Sequence, residues 1–196
     1  QQRVALLRAL APEPKVLLLD EPFSDLDVTR RAQVREETLV LLKETGVAAM
    51  IVTHEPEEAM FMADRILIMN GGRIVQAGTP AETYLHPGDA FVATLFGPVN
   101  RLEGTVRKGR VSTPLGDFEA PETADGTEVE ILIRPEGLLL DPVEKKKGEY
   151  GLESPETNGG PIATTYLARL LGRSSHVHIR CDRHRHGREV HMEARV

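Results

Sequence analysis

The chain contains no tryptophan, one cysteine, and only five phenylalanines and three tyrosines among its 196 residues. A single thiol cannot build an internal disulfide framework, so Cys181 fits a reducing compartment and the fold must rest on packing. Long apolar runs are missing too. Val16–Leu19, Val47–Val52 and Ile66–Met69 are strand-sized, far short of the ~20 residues a helix needs to cross a bilayer. No basic-then-apolar leader opens the sequence, which gives no sign of export. Excess positive charge is also absent: 24 Lys and Arg stand against 30 Asp and Glu, a net charge of −6. That balance argues against nucleic acid as the main partner. What is present, 40% apolar and 28% charged residues, suits a soluble globular protein with one large core or two small ones.

Charge is unevenly spread. Residues 1–97 hold 9 Lys/Arg against 14 Asp/Glu, residues 98–196 hold 15 against 16, and five of the seven histidines fall in the second stretch. With Gly97-Pro98, this shift predicts a domain boundary near residue 97, giving domains 1–97 and 98–196. Gln1–Leu10 has good helix formers, with Val4, Leu7 and Ala11 on one stripe. It lacks a preceding cap, as a truncated start would.

The first region alternates strand and helix. Lys15–Asp20 and Val47–Thr53 read as buried strands. Asp27 can cap a helix over Val28–Glu44 that turns Val34, Leu41 and Leu42 inward and Arg30, Arg31, Arg35, Glu36 and Glu37 outward. Pro56 opens a helix to about Ala63, with Glu57 and Glu58 at its positive end. Gly71-Gly72 joins Arg65–Asn70 and Arg73–Gly78 as a hairpin. Thr79-Pro80-Ala81-Glu82 is a capping box that starts another helix, and a last helix covers Asp89–Phe96. Strands alternating with helices predict an α/β fold with a parallel sheet.

The second region changes rhythm. Arg101–Arg107, Arg110–Thr113, Asp117–Ala120, Glu128–Ile133, Ile162–Leu171, Ser174–Arg180 and Glu189–Val196 are short strands between turn residues, a pattern that suits a small all-β barrel. Glu144–Gly160 is polar without apolar period and reads as an inserted loop.

The chemistry lies in the first region. Val16-Leu17-Leu18-Leu19-Asp20-Glu21 ends a buried strand on two adjacent carboxylates, which are costly there unless they meet something positive. Ligands of open α/β sheets sit at the C-terminal ends of strands. An aspartate in that place can hold Mg²⁺ through its water shell, and a neighbouring carboxylate can polarise a water. A polar turn closing a strand explains the pair equally well when it is taken alone. His54 changes the balance: it ends the next strand, 33 positions after Glu21, and parallel pairing would bring it to the same edge. Phosphoryl transfer needs a metal clamp, a positioned water and a donor to the γ-phosphate. Asp20, Glu21 and His54 can supply one each.

These residues carry a resemblance. Gln1–Leu10 resembles the tail of the signature helix of ABC ATPases, Leu17–Glu21 the Walker B strand, Ser24-Asp25-Leu26-Asp27 the D-loop, and Thr53-His54-Glu55 the switch-histidine loop. Gly71–Pro80 resembles the hairpin that follows in importer ATPases. The match runs over residues 1 to about 96; Glu55 replaces the aspartate that often follows the histidine. The resemblance implies Asp20 as the Mg²⁺-organising residue, Glu21 as general base and His54 as the γ-phosphate contact. It also implies Ser24, Asp27 and Gln1 as residues of the nucleotide site where two ATPase subunits meet. No Gly-x-x-x-x-Gly-Lys-[Ser/Thr] loop occurs, so the expectation is the C-terminal part of a P-loop NTPase domain that does not hydrolyse ATP unaided.

Arg101–Val106, Thr113–Gly116 and Val129–Glu136 resemble the transport-associated OB (TOBE) domain of such importers. The implied protein is the ATP-binding and hydrolysing subunit of an ABC importer, paired with a second ATPase subunit and with transmembrane permease subunits. Its implied place is the cytoplasmic face of the inner membrane, peripherally bound. Iron(III) is the expected cargo, with polyamines and sugars as alternatives. A soluble ABC-type ATPase of repair or translation and a non-catalytic regulatory module are the competing readings. The His176–His186 tract suggests a transition-metal site, but Arg173, Arg180, Arg183, Arg185 and Arg188 would repel a cation. A solvated strand face is the better account.

Overall fold

The computed structural model describes residues 2–140, 163–170, 174–181 and 190–195. Gln1, the Glu144–Gly160 loop, His184, His186, Arg173, Arg183, Arg185 and Arg188 lie outside the described residues. The chain divides into two compact units, 1–96 and 97–196.

In the first unit, α1 (Gln2–Leu10) leads to β1 (Val16–Asp20), α2 (Val28–Thr45), β2 (Ala48–Val52) and α3 (Pro56–Met62). β1 and β2 pair in parallel, Val16 opposite Ala48 through Asp20 opposite Val52. Leu17 and Phe23 form the core beneath them with Leu42 of α2 and Met62 of α3, joined by Leu6, Leu10, Val34 and Ile51. α2 forms where Asp27 takes extended backbone and its carboxylate accepts the Arg30 N–H; Gly46, in the left-handed conformation, closes it.

Three expectations need correction here. β1 and β2 are covered on one face only: Val16 is 57% exposed, Leu18 71%, Met50 54% and Val52 55%. An apolar run records what a strand can bury, not what covers it. On α1 the packed side chains are Leu6 and Leu10, while Val4 and Leu7 are exposed. On α2, Arg31 and Arg35 are only partly exposed, because each has a partner beside the helix. Arg35 stacks its guanidinium 5.4 Å from the Phe61 ring centre.

β3 (Ile66–Asn70) and β4 (Arg73–Gly78) form an antiparallel hairpin as a sheet of its own. Its turn residues Gly71 and Gly72 have φ of 54° and 75°, the two positive values that a two-residue hairpin turn requires. The capping box at Thr79 starts α4 (Pro80–Leu85), and Asp89 caps α5 (Ala90–Leu95).

The second unit is β-rich. β5 (Asn100–Arg107), β6 (Arg110–Thr113), β7 (Gly116–Glu119) and β8 (Glu128–Ile133) form an antiparallel sheet in the order β7-β6-β5-β8. β9 (Ala163–Leu170), β10 (Ser175–Cys181) and β11 (Val190–Arg195) form a second, ordered β11-β10-β9. Leu102, Ile131 and Ile133 of the first sheet pack on Ile179, Cys181 and Met192 of the second. Asn100 stitches the sheets at one edge: its amide donates to the Glu193 carbonyl at 2.8 Å and accepts the Glu193 N–H at 2.7 Å. Two packed sheets, rather than a continuous barrel, are what the described strands form. Among the described residues no helix is long and apolar enough to cross a membrane.

Candidate functional site

The parallel register of β1 and β2 brings their C-terminal ends level. The ladder continues one step past Asp20, with the Glu21 N–H donating to the Val52 carbonyl at 2.8 Å. Glu21 then turns the chain with φ of 42°, a left-handed conformation that is unfavourable for a residue with a side chain and is typical of functional sites. The turn points its carboxylate across the strand ends, where Oε1 lies 3.0 Å from His54 Nδ1. Asp20 precedes it on the same edge and is exposed. Asp20, Glu21 and His54 are therefore together, at an edge open to solvent: the Glu21 and His54 side chains are 47% and 67% exposed.

Each strand end leads into a turn built by its own side chains. After β1, the Ser24 hydroxyl donates to the Glu21 carbonyl at 3.1 Å, and buried Phe23 anchors the segment in the core. Asp27 sits further along and is committed to α2, accepting the Arg30 N–H at 3.1 Å. After β2, Thr53 Oγ1 accepts the Glu55 N–H at 3.0 Å and donates to Glu58 Oε2 at 2.8 Å. His54 is thus carried on a turn pinned from both sides.

Two residues of this arrangement escaped sequence reading. Glu58, read only as a helix-end charge, is 2% exposed and fixes Thr53. Arg31, read as solvent-facing, reaches the site from α2. Its Nη1 pairs with Glu55 Oε1, and its Nη2 donates to the Leu26 carbonyl at 3.1 Å and the Ser24 carbonyl at 3.4 Å. One signal existed in the sequence: Arg31 lies four positions after Asp27, on the first turn of a capped helix whose origin is the loop itself.

Among the described residues, no group of three or more His, Cys, Asp and Glu is placed to hold a metal ion. In the second unit, His176 and His178 alternate on the face of β10 opposite buried Ile179 and Cys181. His178 Nδ1 lies 3.8 Å from Glu193, and Tyr166 packs on both His178 and His191.

No family model matches the chain. Individual proteins match it well. The sulfate/thiosulfate import ATP-binding protein CysA 2 of Chromobacterium violaceum is 46% identical over 172 residues, 87% of this chain and 43% of that protein. The chain is related to the ATP-binding subunits of ABC importers. Further importer relatives include the Fe(3+) ions import ATP-binding protein FbpC of Streptomyces coelicolor, 42% identical over 74% of this chain and 42% of its own length. The spermidine/putrescine import ATP-binding protein PotA of Borreliella afzelii is 43% identical over 74% of this chain and 43% of its own. The chain spans less than half the length of these curated relatives. Sulfate, iron(III) and polyamine importers match at nearly equal identity, so the likeness marks a type of subunit and leaves iron(III) as one cargo among several.

Proposed function

We propose that this chain belongs to the ATP-hydrolysing subunit of an ABC importer and carries that subunit's Walker B strand, D-loop and switch histidine. The observation that supports this reading most directly is the approach of Glu21 and His54 at the ends of adjacent parallel strands. In this reading Glu21 accepts a proton from a water held beside the γ-phosphate, leaving hydroxide to attack phosphorus as the bond to the departing ADP breaks. His54, held by Glu21 on one side, offers its other ring nitrogen to the γ-phosphate, where it stabilises the charge of the transition state. Mg²⁺ neutralises phosphate charge in such reactions. Asp20 suits it, since that ion is usually held by one or two carboxylates together with water and phosphate oxygens. Ser24 and Asp27 would face the nucleotide from the loop after β1; Gln1, implied with them by the resemblance, lies outside the described residues.

The OB-like identity of residues 98–196 is part of the same proposal. What supports it is the β-rich make-up of that region, two small antiparallel sheets packed on one core, and no residue proposed for the chemistry lies there. Pairing with a second ATPase subunit and with permease subunits at the cytoplasmic face of the membrane follows from the importer reading. The import functions in the relatives' names favour it over a soluble ATPase of repair or translation. The test is ATP hydrolysis by the full-length subunit with Glu21→Gln. The amide keeps the shape and cannot accept the proton, so kcat should fall by on the order of a hundredfold or more, with the KM for ATP within about threefold of wild type. Turnover near the wild-type rate would place the base elsewhere.

A further inference from the structure

Besides the direct contact of Glu21 with His54, a side chain from α2, Arg31, bridges the segment after β1 and the segment after β2. Its guanidinium uses one arm on the carboxylate of Glu55, the residue directly after His54. The other arm takes the carbonyls of Ser24 and Leu26. These are different kinds of tie on different pieces of chain, and a planar, forked head group can make them together. The Arg31 side chain is 22% exposed and that of Glu55 33%, so solvent screens this pair less than it screens Glu21 and His54. The root of Arg31 is also fixed, because its own N–H donates to the Asp27 carbonyl at 2.8 Å in the first turn of α2.

We infer that Arg31 is a positioning residue that holds the His54 turn and the Ser24–Leu26 loop in one frame, so that His54 stays over Glu21. Its polar contacts go to Glu55 on one side and to main-chain carbonyls on the other, and it acts through them. This rests on the functional reading above, in which His54 takes part in ATP hydrolysis. A staple that merely kept the unit folded would bear equally on every step. A positioning residue bears on turnover, and only while His54 is present.

The experiment measures kcat per titrated nucleotide site, and KM for ATP, in the full-length subunit. It compares wild type, Arg31→Gln, His54→Ala, the Arg31→Gln/His54→Ala double variant, and Glu21→Gln. Arg31→Gln should lower kcat about tenfold with KM within about twofold. In the His54→Ala background the same change should cost less than about twofold, the non-additivity expected of residues acting as one unit. Arg31→Lys keeps a charge for Glu55 but has no fork for the two carbonyls, and it should recover only part of the loss. An equal fold-loss with and without His54 overturns the inference and makes Arg31 a structural staple. So does Arg31→Lys turning over within about twofold of wild type if Arg31→Gln fails to fold. Wild-type hydrolysis by both His54→Ala and Glu21→Gln would overturn the functional reading itself, an outcome separate from any result at Arg31.

Discussion

Glu58 shows how much a turn can owe to a buried side chain on the next helix. It lies on α3 with 2% exposure, accepts the Thr53 hydroxyl through Oε2, and has in Oε1 a buried oxygen without a hydrogen-bond partner among the described residues. A buried carboxylate with one good hydrogen bond depends heavily on that bond. Thr53→Val should therefore destabilise the first unit by about 1–3 kcal/mol, the cost of stranding a buried polar group. Urea unfolding of the chain measures this, and an unchanged midpoint would show that water replaces the hydroxyl. His54→Ala, by contrast, removes an exposed ring with no role in the core. It should leave the unfolding midpoint in place while full-length turnover falls by on the order of a hundredfold. Stability and turnover thus separate between two consecutive residues, Thr53 and His54.

At the scale of elements, turn chemistry was the most legible part of the sequence. The capping box at Thr79 holds both reciprocal bonds: the Thr79 N–H donates to Glu82 Oε2 at 2.8 Å, and the Glu82 N–H donates to Thr79 Oγ1 at 3.2 Å. The backbone bond from Thr79, then its side-chain bond, hold the Glu82 carboxyl below the ordinary carboxylate range. A depressed folded value means that this contribution to α4 is fully present above the ordinary carboxylate pKa and is lost as pH falls through the lower one. Amide exchange at the start of α4 should accelerate over that acidic window, and Glu82→Gln should remove the pH dependence. Exchange in the wild type that ignores pH there would exclude the linkage. The strand ends that gather Asp20, Glu21 and His54 were legible for a related reason, since apolar runs, polar ends and parallel pairing are local or nearly local signals. Arg31 and Glu58 were not, because helix periodicity sorts residues by polarity. It cannot report that a charged side chain has a partner on a neighbouring segment. The two-sheet form of the second unit was equally out of reach, since strand spacing gives the number of strands but not their partners. The Asn100 stitch to Glu193 spans 93 positions.

On the scale of the whole molecule, the side chains of Val16 and Leu18 on β1, and Met50 and Val52 on β2, lie on one face of a two-strand sheet. None is less than half exposed. Contiguous apolar surface of this kind promotes association, and the outer edges of so small a sheet offer further pairing sites. Leu18→Lys should accordingly reduce self-association of this chain in sedimentation or light scattering while moving its melting temperature by less than about 2 °C. A surface position away from buried features is usually worth within about 0.5 kcal/mol. A fall of several degrees would mean that Leu18 is packed in solution after all. This has a consequence for how variant libraries of the chain are to be read. A hydropathy profile assigns Leu17 and Leu18 to the same class, but a scan scored by thermal stability should separate them sharply, tolerating charge at one and rejecting it at the other. Wherever two such maps of a protein disagree in alternating register along a strand, the disagreement itself marks a surface whose cover lies outside the molecule being assayed.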